Sequence, residues 1–276
     1  MTLSTVSWKV SRAGQRLRAA QQREGLRGLG AEAGRILSQL SRVPLALAAE
    51  YLFDRRRGIR TRGFVRNDRV LARVAVGGDP CFYQPIGLSP LRHLVSTVPL
   101  EPAETTFVDL GAGRGRAVIL AAELGFGHVV GVELDADLAA EGAENVRRWR
   151  AGRHGRSVAG QTVEIVQGDA ANCPLPTGPL LIALFNSFGP TTLSLFLEHL
   201  CDQRTGKSDP VFFAYINPVH EERLEAFARL VPHARAPGWS VFRLEPDLLS
   251  VGPAQRTTEQ DPDRHGDRGP QERRRD

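Results

Sequence analysis

The sequence predicts an α/β fold: a doubly wound seven-stranded sheet, mostly parallel and closed by a hairpin, behind a helical N-terminal extension. Three observations predict it. The apolar run Thr106–Leu110 enters a turn built on Gly111, Gly113 and Gly115. Short apolar runs then recur with helical stretches between them, the pattern of parallel strands joined by crossover helices. Finally, two strand-like runs flank Pro237-Gly238, the punctuation of a hairpin. A chain of 276 residues with 41% hydrophobic content can bury a full core, and such a sheet accounts for about 180 to 200 residues.

The elements follow in order. After Thr106–Leu110 and its glycines, the apolar run Ala117–Leu124 reads as a helix. His128–Glu133 is the second strand, Val163–Gln167 the third, and Leu180–Phe185 the fourth, a continuous apolar run of the kind buried on both faces. Val211–Ile216 is the fifth strand, Glu221–Leu230 an amphipathic helix, and Val231–Ala236 with Trp239–Leu244 the closing hairpin.

The chemistry concentrates at strand ends. Gly111, Gly113 and Gly115 omit side chains where the backbone must turn sharply and approach a ligand, which would lie at a helix N-terminus. Asp109 stands immediately before them. Glu133 follows the glycines by about 20 residues, the spacing at which a second strand presents a carboxylate to a ribose. Asp169 lies just past the third strand, where open α/β sheets collect binding groups, and is placed to accept from an adenine amino group. Each acid alone is more often a solvated turn residue. Three strand-end acids in register with one glycine loop make a set.

The run Asp109-Leu-Gly-Ala-Gly-Arg-Gly-Arg116, with Ala121–Phe126 and Gly131-Val-Glu-Leu134 after it, resembles the class I S-adenosylmethionine-dependent methyltransferases. It resembles in particular a small bacterial group with a DLGxGxGR segment and, distantly, lysine methyltransferases that act on an ATP synthase subunit. The resemblance covers roughly 61–244 and implies a Rossmann-like methyltransferase domain that uses S-adenosyl-L-methionine, its sheet mostly parallel with an antiparallel edge strand supplied by the closing hairpin. It implies that Asp109 holds the methionine amino group, Gly111 and Gly113 pass under the cofactor with Gly115 completing the turn, Glu133 binds both ribose hydroxyls, and Asp169 with Ala170 meets the adenine. Cys81-Phe-Tyr83-Gln-Pro85 is similar to the Tyr-x-Pro segment that closes over the cofactor in this group, although Ile86 stands where the group carries Ser or Thr.

A dinucleotide-dependent oxidoreductase is the competing enzyme reading. Its fingerprint requires a third glycine three residues after the second, where this chain has Arg116, and Asp109 beside the loop would repel a pyrophosphate. A cofactor bearing an amino group and a sulfonium suits that acid instead.

The fourth strand runs into Asn186-Ser187-Phe188-Gly189-Pro190. The resembling group reads Asn-Pro-Phe-Gly here, which is similar to the Asn/Asp-Pro-Pro-Tyr segment of amino-group methyltransferases. By that resemblance the Asn186 amide oxygen aims the lone pair of a target nitrogen at the methyl group, and Phe188 forms an aromatic wall. Ser187 replaces the proline; the alternative for Asn186 is to cap the next helix, as Thr191 or Thr192 also would. Methyl transfer is an in-line displacement, so positioning and exclusion of water matter more than many catalytic groups. If a protonated amine needs a base, His93, His128 and His220 are the histidines near segments of interest, His220 foremost after Asn217-Pro218.

We divide the chain into a basic, partly helical extension (1–62), the methyltransferase domain (63–250) and a disordered charged tail (251–276). The extension carries thirteen Lys and Arg against four acids, whereas the whole chain is +5, so the basic balance belongs to the extension. Two readings remain for it: a contact for an anionic surface, lipid or nucleic acid, or helices covering the cofactor domain, since Gly25, Gly28 and Gly30 interrupt a continuous amphipathic helix. The tail lacks aromatic residues and is dense in Arg, Asp, Gln, Gly and Pro. Cys81, Cys173 and Cys201 are too few and too widely spaced for a disulfide framework or a zinc site, and no metal is expected. With neither a bilayer-length apolar segment nor a secretory signal, a cytoplasmic location is expected. The methyl acceptor, a protein or small molecule, is not named by the sequence. A non-catalytic module that retains the fold and works through its basic N-terminus is the alternative to an enzyme.

Overall fold

The computed structural model describes residues 43–63, 86, 88–156, 160–185, 187 and 189–246, together with Gly30 and Ala33. Seven strands form one sheet: β1 (Thr106–Leu110), β2 (His128–Glu133), β3 (Thr162–Gln167), β4 (Leu180–Leu184), β5 (Val211–Ile216), β6 (Leu230–Ala236) and β7 (Trp239–Leu244). Their spatial order is β3-β2-β1-β4-β5-β7-β6. The first five run parallel, with Asp109 level with Gly131 of β2 and Ala183 of β4. β7 returns antiparallel along β5, pairing Ile216 with Trp239, and β6 pairs antiparallel with β7. Strand order reverses between β1 and β4, and such a switch point opens a crevice at the carboxyl ends of the strands.

The helices are α1 (Val43–Arg57), α2 (Leu88–Val95), α3 (Arg116–Glu123), α4 (Ala136–Ala151), α5 (Arg153–Arg156), α6 (Pro190–Gln203) and α7 (Glu221–Glu225). β1, β4 and β5 are buried throughout and, apart from Asp109 and the part-polar Thr106, largely apolar. Alternating side chains therefore feed two cores. On one face Phe107, Leu181 and Phe212 pack with Leu91 and Leu94 of α2, the buried side of α3, and Trp149 of α4. On the other, Val108, Ile182 and Phe213 pack with Leu193, Phe196, Leu197 and Leu200 of α6.

α4 starts at a strong cap: the Asp135 carboxylate accepts from the N–H groups of Asp137 (2.9 Å) and Leu138 (3.0 Å). α6 starts differently. Its N-cap is Gly189, with Pro190 entering the first turn, where a missing N–H costs nothing.

The chain between β5 and β6 departs from the expected helix over 221–230. Helix ends at Glu225, and β6 already begins at Leu230. Arg229 explains the stop, because its guanidinium donates to the Glu245 carbonyl (3.1 and 3.0 Å) and to the Cys201 carbonyl (3.2 Å). Those tertiary bonds outweigh local helical periodicity and draw the chain into the sheet.

Part of the N-terminal extension belongs to the folded body. Phe53 and Ile59 enter the first core, and Arg57 makes a two-pronged ion pair with Glu123 of α3 (2.6 and 2.5 Å). Glu123 also accepts from the Trp149 indole N–H at 3.0 Å. No described helix is long and apolar enough to cross a membrane.

Candidate functional site

β1 delivers Asp109 to the sheet's carboxyl edge and then turns through three left-handed glycines, Gly111 (φ 80°), Gly113 (φ 52°) and Gly115 (φ 80°). Side chains rarely adopt that conformation, which is the local reason for glycine here. The turn is tied down rather than loose: the N–H groups of Gly111 and Ala112 donate to the Val132 carbonyl at 2.8 and 3.0 Å, and Gly115 N–H to the Ala112 carbonyl at 2.9 Å. Gly115 is the N-cap of α3.

Glu133 at the end of β2 reaches across to this turn. Its Oε2 accepts from the Gly113 N–H at 2.7 Å, and its Oε1 accepts from the Asp135 N–H at 2.9 Å. A carboxylate has about four lone-pair positions, so two contacts leave capacity for ligand hydroxyls. The loop after β3 joins the same corner, with Gly168 N–H donating to the Glu133 carbonyl at 2.9 Å. Asp169 is exposed there, its carboxylate accepting from Ala171 N–H at 2.9 Å, while Ala170 is buried.

The electrostatics are unusual. Asp109 is 5% exposed and Glu133 9%. Burial, with the nearby Glu133 charge adding to it, pushes the Asp109 carboxyl up to about 7. Burial also raises Glu133, against the lowering effect of its backbone hydrogen bonds. Two carboxylates held out of water beside one another favour a proton or a cationic ligand group. Neither forms an ion pair among the described residues. They also form no metal-binding cluster there.

The segment after β4 lies over the turn. A Cβ added to Gly111 would sit 2.3 Å from Ser187 Cβ and 2.4 Å from its Oγ, so the fourth-strand loop and the glycine turn are in direct contact at the switch point. Asn186, Phe188 and Tyr83 lie outside the described residues. The cap for α6 is Gly189, as noted above.

The structure thus brings Asp109, Gly111, Gly113, Gly115, Glu133, Asp169 and Ala170 to one edge of the sheet. It does not bring His93 or His128 there. His93 stands edge-on to Trp239 (5.5 Å between ring centroids) and His128 faces Glu164 on the surface (3.4 Å). His220 lies beyond β5 on the loop that folds around the Tyr215 hydroxyl, which accepts from the Val219 and His220 N–H groups at 3.4 and 3.3 Å. Asn217 in that loop is left-handed (φ 52°), a conformation asparagine tolerates.

Sequence reasoning missed the supports. Gly131 admits Ala112 and Val118, whose side chains would lie 2.6 and 2.7 Å from an added Cβ. A Cβ added to Gly142 of α4 would likewise lie 2.7 Å from the Gly113 carbonyl oxygen and 2.6 Å from Ile165 Cδ1. Asn145, one turn on, donates to the Arg114 carbonyl at 3.0 Å. A glycine and an asparagine three apart inside a helix, both poor helix formers, were the available signal.

No family model matches the chain, and no curated protein matches it. Among solved structures it is similar to an RNA methyltransferase from Salinibacter ruber in complex with S-adenosyl-L-homocysteine (21% identity over 59% of this chain and 95% of that one, TM-score 0.38). It is also similar to a TehB-like SAM-dependent methyltransferase from Corynebacterium glutamicum (15% identity, 64% and 92% covered, TM-score 0.40). A third is a predicted N6-adenine-specific DNA methylase from Listeria monocytogenes (12% identity, 63% and 53% covered, TM-score 0.45).

Proposed function

We propose that the chain is an S-adenosylmethionine-dependent methyltransferase acting on an amino nitrogen of a protein or small molecule. The observation that carries the cofactor is the pair of buried carboxylates, Asp109 and Glu133, converging on the glycine turn, with Glu133 already bonded to Gly113 N–H at 2.7 Å. A ligand with an ammonium group and a sulfonium relieves that charge, whereas a pyrophosphate aggravates it. Arg116 adds to the case against a dinucleotide. It fills the place of the fingerprint's third glycine, and its side chain is directed into α1, with a 3.3 Å ion pair to Glu50.

In this reading Asp109 holds the amino group, Glu133 the ribose hydroxyls, and Asp169 with Ala170 the adenine, with Tyr83 closing over them. The bound cofactor supplies a methyl group on a positively charged sulfur. The chain's own part is to align an acceptor lone pair along the carbon–sulfur axis and to keep water out. Asn186 would hold the nitrogen through its amide oxygen and Phe188 would wall the approach. The Ser187–Gly111 contact supports this assignment, because Ser187, the residue after Asn186 in the sequence, meets the glycine turn.

Incubation with methyl-tritiated adenosylmethionine, followed by sorting of label among protein, nucleic acid and small-molecule fractions, tests the acceptor. Label in protein or an amine supports the reading, and label confined to nucleic acid contradicts it. Cofactor binding without transfer to any fraction favours a module that retains the fold and has lost catalysis, the reading to which the serine in place of proline at Ser187 lends weight.

A further inference from the structure

Both arginines of the glycine turn point backwards, away from the ligand edge, into the N-terminal segment. Arg116 is 1% exposed. Its Nε donates to the Thr61 hydroxyl at 2.8 Å, its Nη1 lies 3.3 Å from Glu50 Oε2, and its Nη2 lies 3.9 Å from Asp54 Oδ1. Asp54 is buried as well and organises the strap that follows α1, accepting from Thr61 N–H (2.9 Å), the Thr61 hydroxyl (2.6 Å) and Arg62 N–H (3.1 Å). Arg114 donates to the Arg62 carbonyl at 2.8 Å and pairs with Glu141 at 2.6 Å. Asn145 closes the clamp: it donates to the carbonyls of Arg60 (3.1 Å) and Arg114 (3.0 Å) and accepts from Arg60 N–H (2.9 Å).

We propose that Val43–Gly63 is a positioning element of the cofactor site, holding the Gly111–Gly115 turn in its binding geometry through Arg116, Arg114 and Asn145. The turn has three left-handed residues, and β2 holds its ligand side through the Val132 carbonyl and the Glu133 carboxylate. A buried guanidinium at its exit is fixed by whatever holds its charge, and those groups, Glu50 and Asp54, belong to α1. Glu50, Asp54 and Thr61 act through Arg116 and touch no ligand in this arrangement. The affinity consequence rests on the cofactor reading above; the geometric consequence does not.

The test compares Glu50→Gln, Asp54→Asn and the double variant with Glu123→Gln in the full chain. Glu123→Gln loosens the other end of the same docking, at Arg57 and Trp149, far along α3 from the turn. Hydrogen exchange on ligand-free protein should show faster exchange of the 111–116 amides in the strap variants and not in Glu123→Gln. Calorimetry should show adenosylmethionine affinity reduced on the order of tenfold in the double variant and unchanged in Glu123→Gln. If the wild type binds no adenosylmethionine while the turn still loosens, the coupling holds and the cofactor reading falls. Unchanged exchange of the turn in the double variant, or equal loosening by Glu123→Gln, overturns the proposal. If the double variant does not fold, Glu50→Gln decides by the same two readouts, since its carboxylate is partly exposed and its loss is mild.

Discussion

Asp109 is where burial and charge oppose each other most sharply. A carboxyl raised from 3.8 to about 7 by burial and by Glu133 is half-protonated near neutrality. For folding, the sign follows from a native value above the unfolded one: the native state holds the extra proton, so this group's contribution to stability is lost as pH rises from about 3.8 through about 7. For binding the sign reverses, because a cationic amino group requires the ionised form. Adenosylmethionine affinity is therefore expected to fall as pH is lowered below about 7, and Asp109→Asn should weaken binding and flatten that dependence in a calorimetric pH series. At Glu133, removal of a charged acceptor from the ribose position should cost about 1.5–3 kcal/mol of cofactor binding in Glu133→Ala. An unchanged affinity would remove Glu133 from that role. Asn186→Ala is expected to spare cofactor binding and abolish transfer in a turnover assay.

Among the elements, α4 does more than cover the sheet. Gly142 lets it approach until an added Cβ would lie 2.7 Å from the Gly113 carbonyl, a backbone atom that cannot rotate away. Gly142→Ala should therefore shift the glycine turn, destabilise the fold by about 1–3 kcal/mol and lower cofactor affinity, measured by denaturant unfolding and titration together. This role was present in the sequence only as an odd composition within a helix. The strands were plainly legible, since the two-sided burial of β1, β4 and β5 demands unbroken apolar runs such as Leu180–Leu184. So was the acid at the end of β2, because strand-end position is set by local sequence. The helix after β5 was misread beyond Glu225, as its end is dictated by Arg229 bonding to Cys201 and Glu245, residues 28 and 16 positions away. Arg116 was legible as a glycine that is absent. Its partners Glu50 and Asp54 were not, because an ion pair between positions more than 60 apart leaves no periodic trace.

For the molecule as a whole, the sheet's switch point gathers the buried acids Asp109 and Glu133 at the glycine turn, and α1 holds Arg116 behind it. Within the basic N-terminal extension, the described helix α1 has one covered and one open side. Phe53, Asp54 and Arg57 face the domain, while Leu47, Tyr51 and Leu52 remain exposed beside Arg55 and Arg56. Loss of the largely buried Arg57–Glu123 pair should cost about 3 kcal/mol, so Arg57→Ala is expected to lower the thermal midpoint measurably. A midpoint equal to wild type would show that α1 is a passive cover.

A glycine turn lined by buried acids is expected to select a cationic cofactor over an anionic one. The measurement is parallel calorimetric titration of the protein with adenosylmethionine, its demethylated product and NAD. Saturable micromolar binding of the first two and none of NAD is the expected result. Binding of NAD alone would show that the buried acids do not set the choice.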